Sequence, residues 1–308
     1  MFDSLFNAVF VDAIVRATIP ILLAALGGAI AERAGVFQIA LEGSILVGAF
    51  AGIAGSYWTE NAWVGLLFGA ISGGLVASVL AFGAVLRKAD PIVLGIAINL
   101  LAVGVTGFLL TQLFGVRGQF RSPRIAGLND IEIPLLAEIP VIGQAFFATT
   151  IVGYFAYLSV PAVWYFLFRT PVGLRLRGVG EDPGAAVSLG VNVTSYKVVA
   201  TVFSGVMAGI AGVQLSLSNV VLFTENMSAG RGWIAVVAVI LGRAHPYGVL
   251  AIVTLFGFSD ALGIRLQGEG LPSQVTQALP YVMALIALAV SRRHFARMLD
   301  LSVSTERA

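Results

Sequence analysis

Apolar runs of nearly constant length constrain this chain more than any other feature. They recur from Val9 to Val290, each close to the ~20 residues that an α-helix needs to cross a bilayer. Nine such segments can be read, at 9–30, 36–56, 63–86, 91–113, 148–168, 197–219, 232–243, 246–264 and 272–291. The seventh is too short to cross alone; it is expected to be a half-helix, or to borrow Val220–Phe223 across an irregular break. Only 11% of the residues are charged, against about 25% in soluble domains, so a water-facing surface could not be covered. The expected fold is therefore all-α: a polytopic transmembrane helix bundle of about nine spans, including one short or re-entrant segment, with residues 1–308 forming a single membrane domain.

Glycine is abundant at 36 residues. In a bilayer no hydrophobic effect drives helices together, and small residues let backbones approach instead. Spacings of the GxxxG type at Gly48/Gly52, Gly69/Gly73 and Gly205/Gly209 point to tight helix–helix contacts. Cysteine is absent, which excludes disulfides, thiolate-held iron–sulfur clusters and thiol nucleophiles. Two histidines, His245 and His294, do not make a metal site. Met1-Phe2-Asp3-Ser4 lacks a basic n-region, so a cleavable signal peptide is not expected. A net charge of +2 gives no reason to expect a nucleic-acid partner.

Orientation follows from the basic residues, which concentrate on the cytoplasmic side of membrane proteins. With Arg292, Arg293 and Arg297 inside, Arg33, Arg87, Lys88, Arg243 and the 169–197 basic residues also fall inside. Of the 18 Lys and Arg, only Arg16, Arg117, Arg121, Arg124, Arg231 and Arg265 lie elsewhere. Nine spans then put the N-terminus outside. Residues 114–147 become an external loop, punctuated by Pro123, Pro134 and Pro140 and carrying Asp130, Glu132 and Glu138. It either caps the pathway, meets an outside partner, or is a solvated connector.

The loop 169–196 becomes cytoplasmic. Asp182 before Pro183 is an N-cap followed by proline at the first helical position. Ala185, Ala186 and Leu189 follow, and Gly190 stands where a helix would end. Two turns are too short to be stable alone, so this helix either packs into a partner's groove or lies on the membrane surface as an elbow. Thr194 or Ser195 is expected to cap the next span.

These residues carry a resemblance. Gly178 to Gly190, with Glu181-Asp182-Pro183 and Ala185-Ala186, is similar to the coupling helix of ABC importer permeases. Gly35 to Phe50 resembles the early helix of the branched-chain amino acid, ribose and nucleoside permease family, and Phe223 to Gly248 resembles its late segment. Leu41-Glu42-Gly43 and Gly230-Arg231-Gly232-Trp233-Ile234-Ala235 are most similar to the nucleoside subgroup. Gln38 departs from that subgroup's Phe-Asn-Ile pattern. The resemblance spans residues 10–291 and implies a subunit of an ATP-driven importer in the bacterial cytoplasmic membrane, carrying nucleosides, with ribose-like sugars or other small metabolites as the alternative and a secondary transporter behind them. It implies a cytoplasmic ABC ATPase, a second permease (unlike or identical) and an extracytoplasmic substrate-binding protein as partners. The chain itself is expected to be no enzyme and to hold no cofactor. A phosphate loop ends in Gly-Lys-Ser/Thr, and neither Lys88 nor Lys197 follows glycine, so ATP and Mg belong to the partner.

Polar residues at membrane depth are the candidate site. An ionisable group there costs about 2.5–3.5 kcal/mol on insertion scales and marks pathways by default. Glu42 lies in the second span with Gln38 four residues earlier; this face either lines the pathway or braces opposing helices. Asn99, in the fourth span, either bonds a solute base or hydroxyl or bridges two helices. Gly230, Arg231 and Gly232 precede the short seventh segment, where a half-helix N-terminus would present backbone N–H groups to a polar solute. Arg231 is alternatively an interfacial anchor. Asp260 sits toward the outer end of the eighth span, within reach of water.

Overall fold

A computed structural model of the chain describes residues 8–132 and 142–268, with positions 272, 274, 276, 278–283, 285, 286 and 289 beyond them. Pro134, Glu138, Pro140, Arg292, Arg293, Arg297 and much of the expected ninth span lie outside the described residues. The fold is a helix bundle. In chain order come α1 (Ala8–Arg33), α2 (Leu41–Thr59), α3 (Ala62–Leu80, continued by a π-helical stretch Ala81–Leu86) and α4 (Pro91–Phe114). After strands β1 (Gln119–Phe120) and β2 (Asp130–Glu132) follow α5 (Ile142–Phe147), β3 (Ala148–Thr150), α6 (Ile151–Arg169), α7 (Pro171–Glu181) and α8 (Pro183–Ser188). Then come α9 (Val193–Val213, with π-helical Gln214–Asn219), β4 (Phe223–Thr224), α10 (Arg231–Leu241) and α11 (Pro246–Gly268).

Among the described residues, six helices are long and apolar enough to cross a membrane: α1, α3, α4, α6, α9 and α11, with α3 and α9 counted through their π-helical ends. α2 has the length but begins with an ionisable residue, Glu42, and is buried along nearly all of its surface. α4 is its opposite: Val93, Leu100, Leu101 and Phe108 are exposed, the mark of a lipid-facing helix. α1 runs through the middle of the bundle, with Ile19 and Ile21–Ala25 almost fully buried.

The three GxxxG spacings meet at one junction of α2, α3 and α9. A Cβ on Gly48 would lie 2.5 Å from the Gly209 Cα, and one on Gly73 would lie 2.6 Å from the same atom. One on Gly205 would collide with the Gly73 carbonyl, and one on Gly209 with the Gly69 carbonyl. Backbone therefore packs on backbone at these positions, where dispersion between close surfaces replaces the missing hydrophobic effect.

Several local expectations change. The second span begins at Leu41 rather than 36, because Gly35 adopts φ +77 and its backbone passes against Gly180 of α7. The fifth span begins at Ile151, since residues 148–150 pair as β3 with β2. The 169–196 loop holds two helices, not one: Thr170 caps α7 by accepting from the Gly173 N–H at 3.0 Å, with Pro171 next. The cap of α9 is neither Thr194 nor Ser195. It is Asn192, whose side chain accepts from the Ser195 N–H at 3.0 Å.

The two ends of the bundle differ. At one end β1 pairs with β4, and Arg16 reaches Asp130 at 3.2 Å. An aromatic cluster of Phe50, Tyr57, Phe114, Phe120 and Phe223 lies beneath that strand pair, Phe114 stacking on Phe120 at 4.0 Å. At the other end Arg33, Arg177 and Arg243 line a cleft of about 310 Å³ with Glu32 and Glu181. The short strands are confined to the end that carries Arg16, Arg117, Arg121 and Arg124, opposite the Arg33, Arg177 and Arg243 cleft.

The glycine junction makes a direct prediction. Gly209→Val should cost about 1–3 kcal/mol as an overpacked interface, read as a lower thermal midpoint of the detergent-purified protein. Gly104→Ala, at a helical glycine with open space around it, should leave the midpoint where it was.

Candidate functional site

α10 starts in the interior of the bundle, and this fixes the chemistry around it. The chain arrives from the β1–β4 end through Val220–Gly230, irregular apart from β4, and becomes helical only at Arg231. α10 then runs to Leu241, beside the Arg33 end. The first N–H groups of any helix lack intrahelical partners, and with no water in a bilayer core they must find partners within the protein.

Glu42 supplies them. Its Oε1 accepts from the Gly230 N–H at 2.8 Å and its Oε2 from the Gly232 N–H at 2.6 Å. The residue is 7% exposed. A carboxylate at a helix N-terminus also meets the positive end of the helix dipole. Two glycines make the approach possible: Gly230 is at φ +83, and a Cβ on Gly232 would strike the Glu42 backbone. Glu42 and the Gly230–Gly232 turn, 188 residues apart in sequence, therefore form one unit. The N–H groups expected to face a solute are taken by Glu42.

Asn99 repeats the device on α2. Its Oδ1 accepts from the Gly43 N–H at 2.8 Å, and its Nδ2 donates to the Ile39 carbonyl at 3.0 Å. α4 is thereby bonded to the turn on which Glu42 stands, the bridging alternative for Asn99. Gln38 is not joined to this unit. It is 3% exposed, and both polar atoms of its amide lack a hydrogen-bond partner among the described residues. Arg231 points the other way from Glu42, to within 3.7 Å of Asp260 on α11.

Sequence reasoning passed over several participants. Tyr281 places its hydroxyl 2.7 Å from where a Gly230 Cβ would stand. Arg33 bonds the far end of α10's connection to α11, with Nε donating to the Ala244 carbonyl at 3.1 Å and Nη2 to the Arg243 carbonyl at 2.9 Å. Gln214 accepts from the Thr150 hydroxyl at 2.8 Å in a buried contact. An opposite-charge pair split between two apolar segments was the available signal for Arg231 and Asp260.

On the 169–196 loop, Asp182 Oδ1 accepts from the Ala185 N–H at 2.9 Å and Pro183 occupies the first helical position. Gly190, at φ +75, closes α8, with its N–H bonded to the Val187 carbonyl. Glu181, Asp182, Pro183 and Ala185 are exposed, whereas Ala186 packs inward. Val187 and Leu189, 61% and 82% exposed, give α8 an apolar outer surface. Among the described residues no cluster of potential metal ligands occurs.

The family described as "Branched-chain amino acid transport system / permease component" matches residues 10–288. The chain is 36% identical to the nucleoside ABC transporter permease protein NupC of Lactococcus lactis, covering 88% of each chain. It is 33% identical to the guanosine ABC transporter permease protein NupQ of Bacillus subtilis, covering 87% of each. It is 38% identical to TsgC13 of Haloferax volcanii, named for glucose, covering 86% of this chain and 80% of that one. The first two organisms each carry a second, more distant relative: NupB at 19% and NupP at 24%. Among solved structures, an inward-facing metal-chelate type ABC transporter aligns with TM-score 0.51 at 16% identity, over 91% of this chain and 84% of that one.

The Glu42 unit predicts an order of severity. Glu42→Ala leaves two buried N–H donors unpaired, at about 1–3 kcal/mol each, while Glu42→Gln keeps one acceptor oxygen. Thermal midpoints should fall in the order wild type, Glu42→Gln, Glu42→Ala. Equal midpoints for all three would dissolve the unit.

Proposed function

The chain belongs to the permease component family of branched-chain amino acid transport systems, and from that premise we propose that it is the membrane subunit of an ABC importer that carries nucleosides across the cytoplasmic membrane. It is a multi-pass integral membrane protein and a transport subunit rather than an enzyme. The observation that carries the solute assignment is near-full-length similarity to two permeases named for nucleosides and guanosine. The TsgC13 relative keeps a neutral sugar as the second reading.

The membrane path runs nine times. α1, α2, α3, α4, α6, α9 and α11 make seven crossings; the irregular 220–230 stretch and α10 together make an eighth, and 272–291 the ninth. Arg33, Arg177 and Arg243 then face the cytoplasm, and β1–β4 lies outside. ATP hydrolysis and its Mg belong to a separate ATPase that docks on α8. The apolar Val187 and Leu189 beside acidic Glu181 and Asp182 support that reading, since a six-residue helix is not stable on its own. An extracytoplasmic binding protein delivers solute to the β1–β4 end. The second permease is an unlike chain: the near relative and the distant relative found together in two organisms support a pair of different permeases.

The test is gentle purification of the tagged chain from its host, with identification of what accompanies it, beside uptake of labelled uridine and inosine. A P-loop ATPase and a second permease are expected, together with nucleoside uptake that disappears when this gene is deleted. Leu189→Asp should cost at least about 2 kcal/mol of ATPase association, the scale of an interface anchor. The ATPase should then be absent from the purified complex and uptake lost, while the permease remains in the membrane. Retention of the ATPase by Leu189→Asp would move the docking surface elsewhere.

A further inference from the structure

A cleft of about 350 Å³ opens beside the start of α10, separate from the Glu42 carboxylate on the other side of that turn. Arg231 and Ala229 form its floor, Phe256 to Gln267 of α11 form one wall, and Thr276, Pro280 and Tyr281 form the opposite wall. We propose that this cleft is a solute site within the membrane domain, and that it selects a neutral, hydroxyl-bearing ring solute by the paired charges of Arg231 and Asp260. The proposal rests on the importer reading and adds to it a place and a selection rule.

Three observations carry it. The first is the presence of two ionisable groups in apolar segments, each costing about 2.5–3.5 kcal/mol to insert. They are held only loosely against each other, at 3.7 Å, with Arg231 Nη1 also donating to the Ser228 carbonyl at 3.4 Å, and their side chains, which line the cleft, are 26% and 33% exposed. That separation exceeds the usual 2.7–2.9 Å of a charge-assisted hydrogen bond, so both groups keep bonding capacity for something between or beside them. The second is the range of donors and acceptors. Arg231 donates, Asp260 accepts, the Gln267 amide does both, and the Tyr281 hydroxyl does either. Gln267 Nε2 donates to the Thr276 hydroxyl at 2.6 Å, which joins the two walls. Tyr281, half exposed, adds ring surface for stacking a flat heterocycle.

The third is charge balance. Arg231 is matched by Asp260, and the positive end of α10 is already met by Glu42, so the cleft holds no surplus charge. Bringing a phosphate here would leave that charge uncompensated in a low-dielectric site, which is costly. A neutral solute meets no such penalty. The volume is near the lower end of small-molecule pockets, about 300–1,000 Å³, which suits one or two rings.

The absence of cysteine from the chain allows a clean test. Ile264→Cys places a single thiol on the cleft wall, at a residue that is 61% exposed. In membrane vesicles holding the whole importer, a membrane-impermeant thiol reagent should react with it. Saturating uridine or inosine should slow the reaction about tenfold, and uridine monophosphate should not. Adding Asp260→Asn, or separately Tyr281→Phe, should raise the protecting concentration about tenfold, the loss expected for one hydrogen bond to a charged or buried group. Using two variants guards against one that fails to fold. Protection by glucose or ribose in place of nucleosides would uphold the cleft and overturn the nucleoside assignment. A thiol that no solute protects, while cells still take up nucleosides, would overturn the cleft and leave that assignment standing. Equal protection by the monophosphate would overturn the charge-balance rule.

Discussion

A helix that begins inside a membrane must have its first N–H groups bonded by the protein itself, and the architecture around Glu42 follows from that requirement. Water is absent from the bilayer core, and each unpaired backbone group there costs several kcal/mol. Gly230 and Gly232 are the donors that need partners, and both carboxylate oxygens of Glu42 serve them. The carboxylate in turn has its burial offset by two short bonds and a helix dipole. Neither half is stable at this depth alone. Together they allow a chain that is irregular from the β1–β4 end inward to become helical in the middle of the bundle.

For that arrangement α2 has to be kept away from lipid. A helix with an ionisable residue in its first turn cannot lie against acyl chains, and α2 is enclosed by α3, α4, α9 and α10. The glycines make the enclosure possible: Gly48 against Gly209, with Gly73 against Gly205 and Gly209, brings three backbones together where larger side chains would hold them apart. Asn99 then bonds α4 to the N–H of Gly43, the residue after Glu42. The most polar turn of the bundle is thus fixed from three sides before it reaches α10.

Much of this fold was legible because hydropathy and capping are local. The first eight apolar runs found their helices to within a few residues, and Asp182-Pro183 announced α8. Thr170-Pro171 carried the same signal for α7, but Gly173, Gly178 and Gly180 obscured it; the structure uses Gly173 and Gly180 for close approach to Leu167 and Arg33. The early start assigned to α2 failed because Val36–Ala40 read as apolar, while the left-handed turn at Gly35 is dictated by Gly180, far along the chain. The candidate site was legible only as separate pieces. Glu42, Asn99 and the Gly230–Gly232 turn each stood out as polar or flexible within apolar sequence, yet nothing local tells that the carboxylate faces two N–H groups 188 and 190 residues away. Arg33 was visible only as a topological charge, because its bonds to the Arg243 and Ala244 carbonyls depend on the packing of α1 against α10 and α11.

α10 is bonded at both ends by other helices, and this sets what it can transmit. Glu42 of α2 holds its beginning, and Arg33 of α1 holds the turn after its end. The carbonyl of Arg33 lies so close to Gly180 of α7 that a Cβ at Gly180 would overlap it. α7 leads through Asp182 directly into α8, the proposed docking helix. α8 is therefore joined through α7 to the end of α1 by backbone contact. From there the Arg33 guanidinium bonds the α10–α11 turn. α2 is held by its glycines against α3 and α9, whereas α10 is bonded to other helices at its start and just beyond its end. Its first residue after Gly230 is Arg231, the floor of the proposed solute cleft. The same short helix thus has one end linked through α1 and α7 to the proposed docking surface and an inner end that helps to form the proposed cleft, the physical connection an ATP-driven importer requires between the two.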